Sequence, residues 1–183
     1  HNSTSPIHRG VFLTRQIVGR HLSPPPTAVA FDDGQFSPDW TMRQKITELT
    51  RDEACMACHS IINPLGFSLE HYDAVWRWRE EDNGQPVDAT GQYTSAGGAT
   101  LSLTGARDLA EFAAASESAR RAFVRETFHY MMKKDPAQYD PAWLDELTRQ
   151  FAADECHVAR LWVEIAVRTA LVDANHPVST EGE

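Results

Sequence analysis

The spacing of apolar residues predicts a mainly helical protein, because apolar positions recur at three- and four-residue intervals along most of the chain. Apolar residues between positions 8 and 18 predict a short helix that ends at Gly19. Capping-box patterns predict helix starts at Thr41 and Thr50, and residues 63–67 are expected to break the second of these helices. The same periodicity predicts further helices over about residues 68–76, 104–113, 117–134, 140–151 and 156–172.

Only one region has strand-like patterning. Residues 85–104 place β-branched and aromatic residues around Gly97 and Gly98, which predicts a small β-hairpin after a turn at Asn83 and Gly84. The prolines at 24–26 predict an extended segment. The predicted fold is therefore mainly α with a small β-hairpin and a C-terminal helical extension. It divides into an N-terminal arm over 1–37, a central region over 38–104 and a C-terminal helical region over 105–183, packed as one domain with the rest.

Composition and charge limit the classes of binding partner that the protein can have. The 183 residues suffice for one domain or two small ones. A net charge of −9 argues against binding nucleic acid, which needs a cationic surface, and allows a basic protein partner. No apolar run is long enough for a membrane span, and no signal peptide is present. Because the chain starts abruptly at His1, we interpret it as a fragment or the mature form of an exported protein.

Cys55, Cys58 and His59 form a Cys-x-x-Cys-His motif, the attachment signal of a c-type haem. On a helix, the two thiols lie on one side and each can add to one vinyl group, while the next imidazole binds iron. A Cys-x-x-Cys pair also occurs in zinc sites and thioredoxin-like redox sites. The sequence shows neither two further zinc ligands at matching spacing nor a βαβ pattern.

We therefore predict one covalent haem c inside a cytochrome-c-like helical core. Cys55 and Cys58 would form the thioether bonds, and His59 would be the proximal iron ligand. The third cysteine, Cys156, is predicted to be a buried small hydrophobic residue.

Pro64, Gly66 and Arg43 are the main candidates for the haem pocket. A carbonyl in the loop containing Pro64 and Gly66 could accept the imidazole Nδ1 proton, although an ordinary turn explains this loop equally well. Arg43 could pair with a haem propionate or be a solvated helix charge. Arg77 and Arg79 are weaker candidates for the propionate.

The chain resembles the haem-binding C-terminal module of large secreted planctomycete-type proteins, the paired domains of unknown function 1588 and 1585. The stretches that carry the resemblance are residues 8–15, 24–26, 41–43, 55–79, 86–91 and 107–110, with Phe123, Val124 and Tyr130. Trp76 and His71 depart from it, since the family usually has glycine and asparagine at these positions. The resemblance implies a cytochrome-like module that sits beside other haem or carbohydrate-binding modules in exported proteins.

The sequence does not determine which residue is the sixth iron ligand. His8, which lies in the first family-like stretch, and Met42 are the distal candidates, and His129, Met131 and Met132 form a third possibility. The iron could also lack a sixth protein ligand.

The predicted function is electron transfer by a c-type cytochrome domain in the periplasm or outside the cell. Its partner would be a redox protein or a neighbouring domain. The alternatives are a peroxidase-like haem enzyme with an open distal position and a module in which haem only stabilises the fold.

Overall fold

A computed structural model describes residues 4–23 and 30–175. The proline segment at 24–26 and the last residues, 176–183, lie outside this described part. The chain forms two compact units, His1–Ser116 and Glu117–Glu183. The three-part division expected from the sequence stays a prediction.

The first unit contains four α-helices and two small hairpins within its described residues. Its elements are α1 (Pro6–Phe12), a π-helical turn (Leu13–Ile17), a 3-10 turn (Asp33–Gln35), α2 (Met42–Leu49), α3 (Glu53–Phe67), β1 (Glu81–Asp82), β2 (Gln85–Pro86), β3 (Gly91–Thr94), β4 (Thr100–Leu103) and α4 (Ala106–Ala115). The helix predicted over 8–18 is present as α1 and the π-helical turn. It ends before Gly19, whose positive φ of 71° suits glycine.

The two predicted capping boxes had different outcomes. At Thr41 the box is confirmed: the Thr41 side chain accepts the Gln44 amide, and the Gln44 side chain accepts the Thr41 amide. At Thr50 the prediction was wrong, because α3 begins after Asp52. The Thr50 hydroxyl instead donates to the Ile46 carbonyl at 2.8 Å.

The break predicted at residues 63–67 was also wrong, since α3 continues through Pro64 to Phe67. A proline inside a helix removes one hydrogen bond and crowds the preceding turn. Tertiary packing outweighs this local cost: Leu65 is fully buried, and Pro64 lies against the start of β3. A Cβ on Gly91 would come within 3.1 Å of the Pro64 Cα.

The helix predicted over residues 68–76 is absent. This segment forms turns, and Tyr72 pairs with Trp78 in an isolated β-bridge. Arginine side chains satisfy carbonyls that a helix would have bonded internally. Arg9 Nη1 donates to the carbonyls of Leu69 and Tyr72 at 3.0 and 3.1 Å. The segment therefore reaches hydrogen-bond satisfaction without helical geometry.

Glycine allows α1 and α3 to pack at very short range. A Cβ on Gly66 would lie 2.1 Å from the Pro6 carbonyl oxygen, and one on Gly10 would lie 2.2 Å from the Ile62 carbonyl oxygen. Both obstacles are backbone atoms, so neither position accommodates a side chain without moving a helix. The crossing fixes α1 against the helix that carries Cys55 and Cys58.

The predicted β-hairpin is confirmed. Strands β3 and β4 pair antiparallel from Gly91↔Leu103 to Thr94↔Thr100. The hairpin contributes to the main core of the unit, which contains Leu13, Val18, Leu65, Tyr93, Leu103 and Leu109. A second, shorter hairpin of β1 and β2 turns at Asn83 and Gly84, both with positive φ.

The second unit contains α5 (Glu117–Met132), a 3-10 turn (Pro136–Gln138), α6 (Trp143–Ala153) and α7 (Val158–Asn175). Its core is the buried cluster of Val124, Phe128, Trp143, Leu147, Phe151, Leu161 and Ile165. Cys156 was wrongly predicted to be buried. It is exposed in the turn between α6 and α7, where its φ is positive at 58°, and it is not part of the buried cluster of this unit.

The mainly helical fold class with a small hairpin is confirmed. Among the helices that the structure describes, none has the length and apolar character needed to cross a bilayer.

Candidate functional site

The motif residues occupy the first turns of α3. Cys55, Cys58 and His59 are each partly exposed, and all three cysteines of the chain are free thiols. Residues three or four apart on an α-helix lie on one face. The helix therefore presents two thiols and an imidazole along one accessible side, within little more than one turn.

The orientation of His59 is set by a buried hydrogen-bonded chain. The Nδ1 atom of His59 lies 2.9 Å from Asn63 Oδ1. The amide nitrogen of Asn63 donates to Thr50 Oγ1 at 2.9 Å. The Thr50 hydroxyl donates in turn to the Ile46 carbonyl. These hydrogen bonds connect the His59 imidazole on α3 to the last turn of α2.

Asn63 was missed by the sequence analysis, which turned to Pro64 and Gly66 for a carbonyl acceptor. The Pro64 carbonyl accepts the Ser68 amide at 3.2 Å, as part of the end of α3. Gly66 lies at the crossing with α1. One signal pointed to Asn63: it follows His59 by four residues, which is the spacing of facing side chains on a continuous helix.

Arg43 is held by neighbouring residues of its own unit. Its guanidinium lies over the Phe67 ring at 4.5 Å and donates to the Asp88 and Thr90 carbonyls at 3.0 and 2.6 Å. Its Nε atom also pairs with the Asp88 carboxylate at 3.1 Å. Burial lowers the pKa of Arg43, while the charge of Asp88 raises it. A role toward a propionate stays a prediction.

The distal candidates lie in different surroundings. Met42 is buried with Ile46 and Phe67. Phe67 is eight residues beyond His59, about 12 Å along the helix axis at 1.5 Å per residue. His8 is exposed, and its Nδ1 lies 2.6 Å from Ser5 Oγ. Met42 therefore packs near the C-terminal end of α3, and the distal ligand stays a prediction.

The third distal possibility falls in the second unit. Met131 and Met132 pack against the core of that unit, and His129 lies near the end of α5. Their relation to the first unit stays a prediction.

Residues 1–82 match a family model, PSCyt3, described as a protein of unknown function (DUF1588). This is a planctomycete cytochrome-type domain family. No curated protein and no solved structure matches the chain. The PSCyt3 match lies wholly within the first unit and includes the Cys-x-x-Cys-His motif together with Asn63 and Thr50. The second of the two paired domains stays a prediction.

The PSCyt3-matched segment also contains a buried ionic cluster that the sequence analysis missed. Glu70 is only 2% exposed and forms ion pairs with Arg9 and, at 2.8 Å, with Arg79. Arg79 also contacts Asp82 at 2.6 Å, and Thr4 Oγ1 lies 3.4 Å from both oxygens of Glu70. Two guanidinium groups, shared between two carboxylates, thus anchor the turns after α3. Arg79 is engaged here, which gives it a structural role.

The aromatic loop after this cluster contains Trp76, at a position where the resemblance implies glycine. Trp76 has a φ of 65°, a conformation that favours glycine, and it is 64% exposed. Asp73 holds the loop by accepting the amides of Val75 and Arg77 at 2.9 Å, and these bonds lower the pKa of its carboxyl. His71, the second departure, stacks on Trp78 with 4.4 Å between ring centroids.

Potential metal-ligating side chains do not form a cluster of three in the part of the chain that is described. No three His, Cys, Asp or Glu side chains converge on a common point among residues 4–23 and 30–175.

Proposed function

We propose that the first unit is a c-type cytochrome domain that carries one covalent haem and transfers electrons within or between exported redox proteins. The hydrogen bonding of His59 carries the proposal. Its Nδ1 atom faces Asn63, which leaves Nε2 to bind iron from the same helix that presents the two thiols. The match of residues 1–82 to a cytochrome-type family supports the same conclusion.

Cys55 and Cys58 would form the covalent attachment. Each thiol adds across one vinyl double bond of a porphyrin, so that sulfur bonds to one carbon and the thiol hydrogen goes to the other. No atom leaves, and the addition requires no oxidant. The partial exposure of both thiols is compatible with access by a porphyrin. Met56, between the two cysteines, acts as a spacer and is exposed.

A bound haem supplies reversible one-electron chemistry at its iron. The chain would contribute the axial imidazole and its orientation. The net charge of −9 favours a redox partner or neighbouring domain with a basic surface, because opposite charges steer encounter. Covalent haem attachment takes place outside the bacterial cytoplasmic membrane, so we place the domain in the periplasm or outside the cell. Further haem or carbohydrate-binding modules could accompany it in a longer protein.

Covalent haem is the first measurable consequence. We expect the full chain, exported from a host that attaches haem c, to retain haem after unfolding and extraction with acidified acetone. A variant with both Cys55→Ala and Cys58→Ala should retain none, because no thioether can form. Cys156→Ala is the matched control and should retain the wild-type amount, since Cys156 is exposed in the second unit. A wild-type protein without covalent haem would contradict the proposal.

The optical spectrum separates electron transfer from haem enzymology. Electron transfer predicts low-spin iron in both oxidation states and a spectrum that carbon monoxide and cyanide do not change, because both axial positions are filled. High-spin iron that readily binds these ligands would contradict electron transfer. It would favour the peroxidase-like alternative with an open distal position.

A further inference from the structure

Three hydrogen bonds connect His59 through Asn63 and Thr50 to the Ile46 carbonyl. Which group donates and which accepts in each of them determines which ring nitrogen of His59 carries the proton. Asn63 is only 7% exposed and Thr50 only 3% exposed, so water does not replace their bonds. The groups are therefore limited to the partners within their reach. The proton positions follow from what each group can donate or accept.

The Ile46 carbonyl fixes one end, because a carbonyl can only accept. Its oxygen lies 2.8 Å from Thr50 Oγ1, so the single hydroxyl proton of Thr50 points to it. Thr50 Oγ1 can then only accept from Asn63, whose NH₂ group must face it at 2.9 Å. The Asn63 carbonyl oxygen consequently faces His59. An oxygen acceptor at 2.9 Å requires a proton on His59 Nδ1.

The reversed arrangement is less favourable. If Thr50 donated to Asn63, the 2.8 Å approach of Thr50 Oγ1 to the Ile46 carbonyl would bring two unprotonated oxygens together. Asn63 would then donate to Nδ1, which would move the His59 proton to Nε2. This is the nitrogen that the proposed function needs free for iron.

We propose that Asn63 and Thr50 are positioning residues that hold His59 as the Nδ1–H tautomer before any haem is bound, with Nε2 already available to iron. This inference rests on the proposed function for its purpose, but the tautomer itself is a property of the protein alone. A positioned imidazole binds iron with less loss of freedom. Donation from Nδ1 to an oxygen also makes the ring a more basic ligand.

His71 provides an internal reference for a test by nuclear magnetic resonance. Its Nδ1 lies 3.0 Å from the Arg79 carbonyl, a group that can only accept, so His71 must also be the Nδ1–H tautomer. His71 takes no part in the hydrogen bonds that connect His59, Asn63 and Thr50. A variant that only disturbs the His59 chain should therefore leave the His71 signals unchanged.

The experiment compares ring ¹⁵N shifts of the haem-free full chain with labelled histidine, at alkaline pH where the rings are neutral. His59→Ala identifies the His59 signals. We expect wild-type His59 in the Nδ1–H form and a shift toward the mixture of free imidazole in Asn63→Leu. Thr50→Val, which replaces only the hydroxyl with a methyl group, should shift the same way. Thr50→Ser keeps the hydroxyl and should resemble the wild type.

A wild-type His59 that is mainly Nε2–H, or that shows the same mixture as a correctly folded Asn63→Leu, would overturn the inference. If Asn63→Leu disturbs folding, the His71 signals will move, and the comparison of Thr50→Val with Thr50→Ser then decides. A Thr50→Val spectrum identical to that of Thr50→Ser would also overturn it.

The haem-loaded protein gives a second measurement. Loss of the Nδ1 bond makes the ligand less electron-donating and disfavours ferric iron, so Asn63→Leu, which removes the acceptor of that bond, should raise the reduction potential relative to the wild type. An unchanged potential would contradict the positioning role. Failure of the wild type to bind haem would instead overturn the proposed function and leave the tautomer result standing.

Discussion

Replacing Glu70 with alanine is expected to lower the free energy of unfolding by about 3–5 kcal/mol, because it leaves the largely buried guanidinium of Arg9 without a carboxylate partner and leaves Arg79 with Asp82 alone. Glu70 faces both Arg9 and Arg79. The pKa of Arg9 is lowered to about 10, first by burial and then by the positive charge of Arg79. The two guanidinium groups therefore repel each other, and Glu70 is the carboxylate that offsets this repulsion for both.

Urea unfolding followed by circular dichroism measures this loss for Glu70→Ala. Glu48→Ala is the matched control, since Glu48 also pairs with an arginine, Arg51, but at the surface of α2. Exposed ion pairs contribute little to stability. Equal losses for the two variants would show that the buried cluster is not held by Glu70.

Gly66→Ala is expected to destabilise the protein by about 1–3 kcal/mol, the usual penalty for overpacking. The sign of the change in the free energy of unfolding is informative, because alanine inside a helix normally stabilises by about 1 kcal/mol relative to glycine. At Gly66 the new methyl group would meet the Pro6 carbonyl oxygen at 2.1 Å. Backbone on a neighbouring helix cannot move aside as a flexible side chain can, so α1 must shift.

Thermal and urea unfolding of Gly66→Ala test this expectation. Gly97→Ala serves as the control, since its Cβ would approach only Ser95 Oγ, at 3.9 Å, in the turn between β3 and β4. We expect the control to remain near the wild type. A Gly66→Ala protein more stable than the wild type would contradict the close crossing of α1 and α3.

Features governed by neighbouring residues could be predicted from the sequence. The capping box at Thr41 and the end of the first helical segment at Gly19 depend on residues within a few positions. The hairpin of β3 and β4 follows from alternation around glycines. Pro64 could not be placed in this way, because buried packing outweighs its local preference for ending a helix. The turns after α3 likewise depend on Arg9, which comes from the opposite end of the matched segment.

The same distinction between local sequence and tertiary packing applies to the residues of the candidate site. Cys55, Cys58 and His59 were recognised because their chemistry is encoded in five consecutive residues. Asn63 gains its role only because Thr50, 13 residues earlier, is brought beneath it by the packing of α2 on α3. Glu70 pairs with Arg9 across 61 residues. Met42 was chosen as a distal candidate by residue type, and its burial with Ile46 and Phe67 depends on tertiary packing that the sequence does not show.

The core of the first unit extends beyond the segment that the family model matches. The match ends at residue 82, whereas Tyr93, Leu103 and Leu109 share one buried cluster with Leu13 and Leu65. A polypeptide cut at the end of the match would leave Leu13 and Leu65 open to water, and Gly91 would no longer cover Pro64. The smallest fragment expected to fold by itself therefore ends near Ser116, where the compact unit ends.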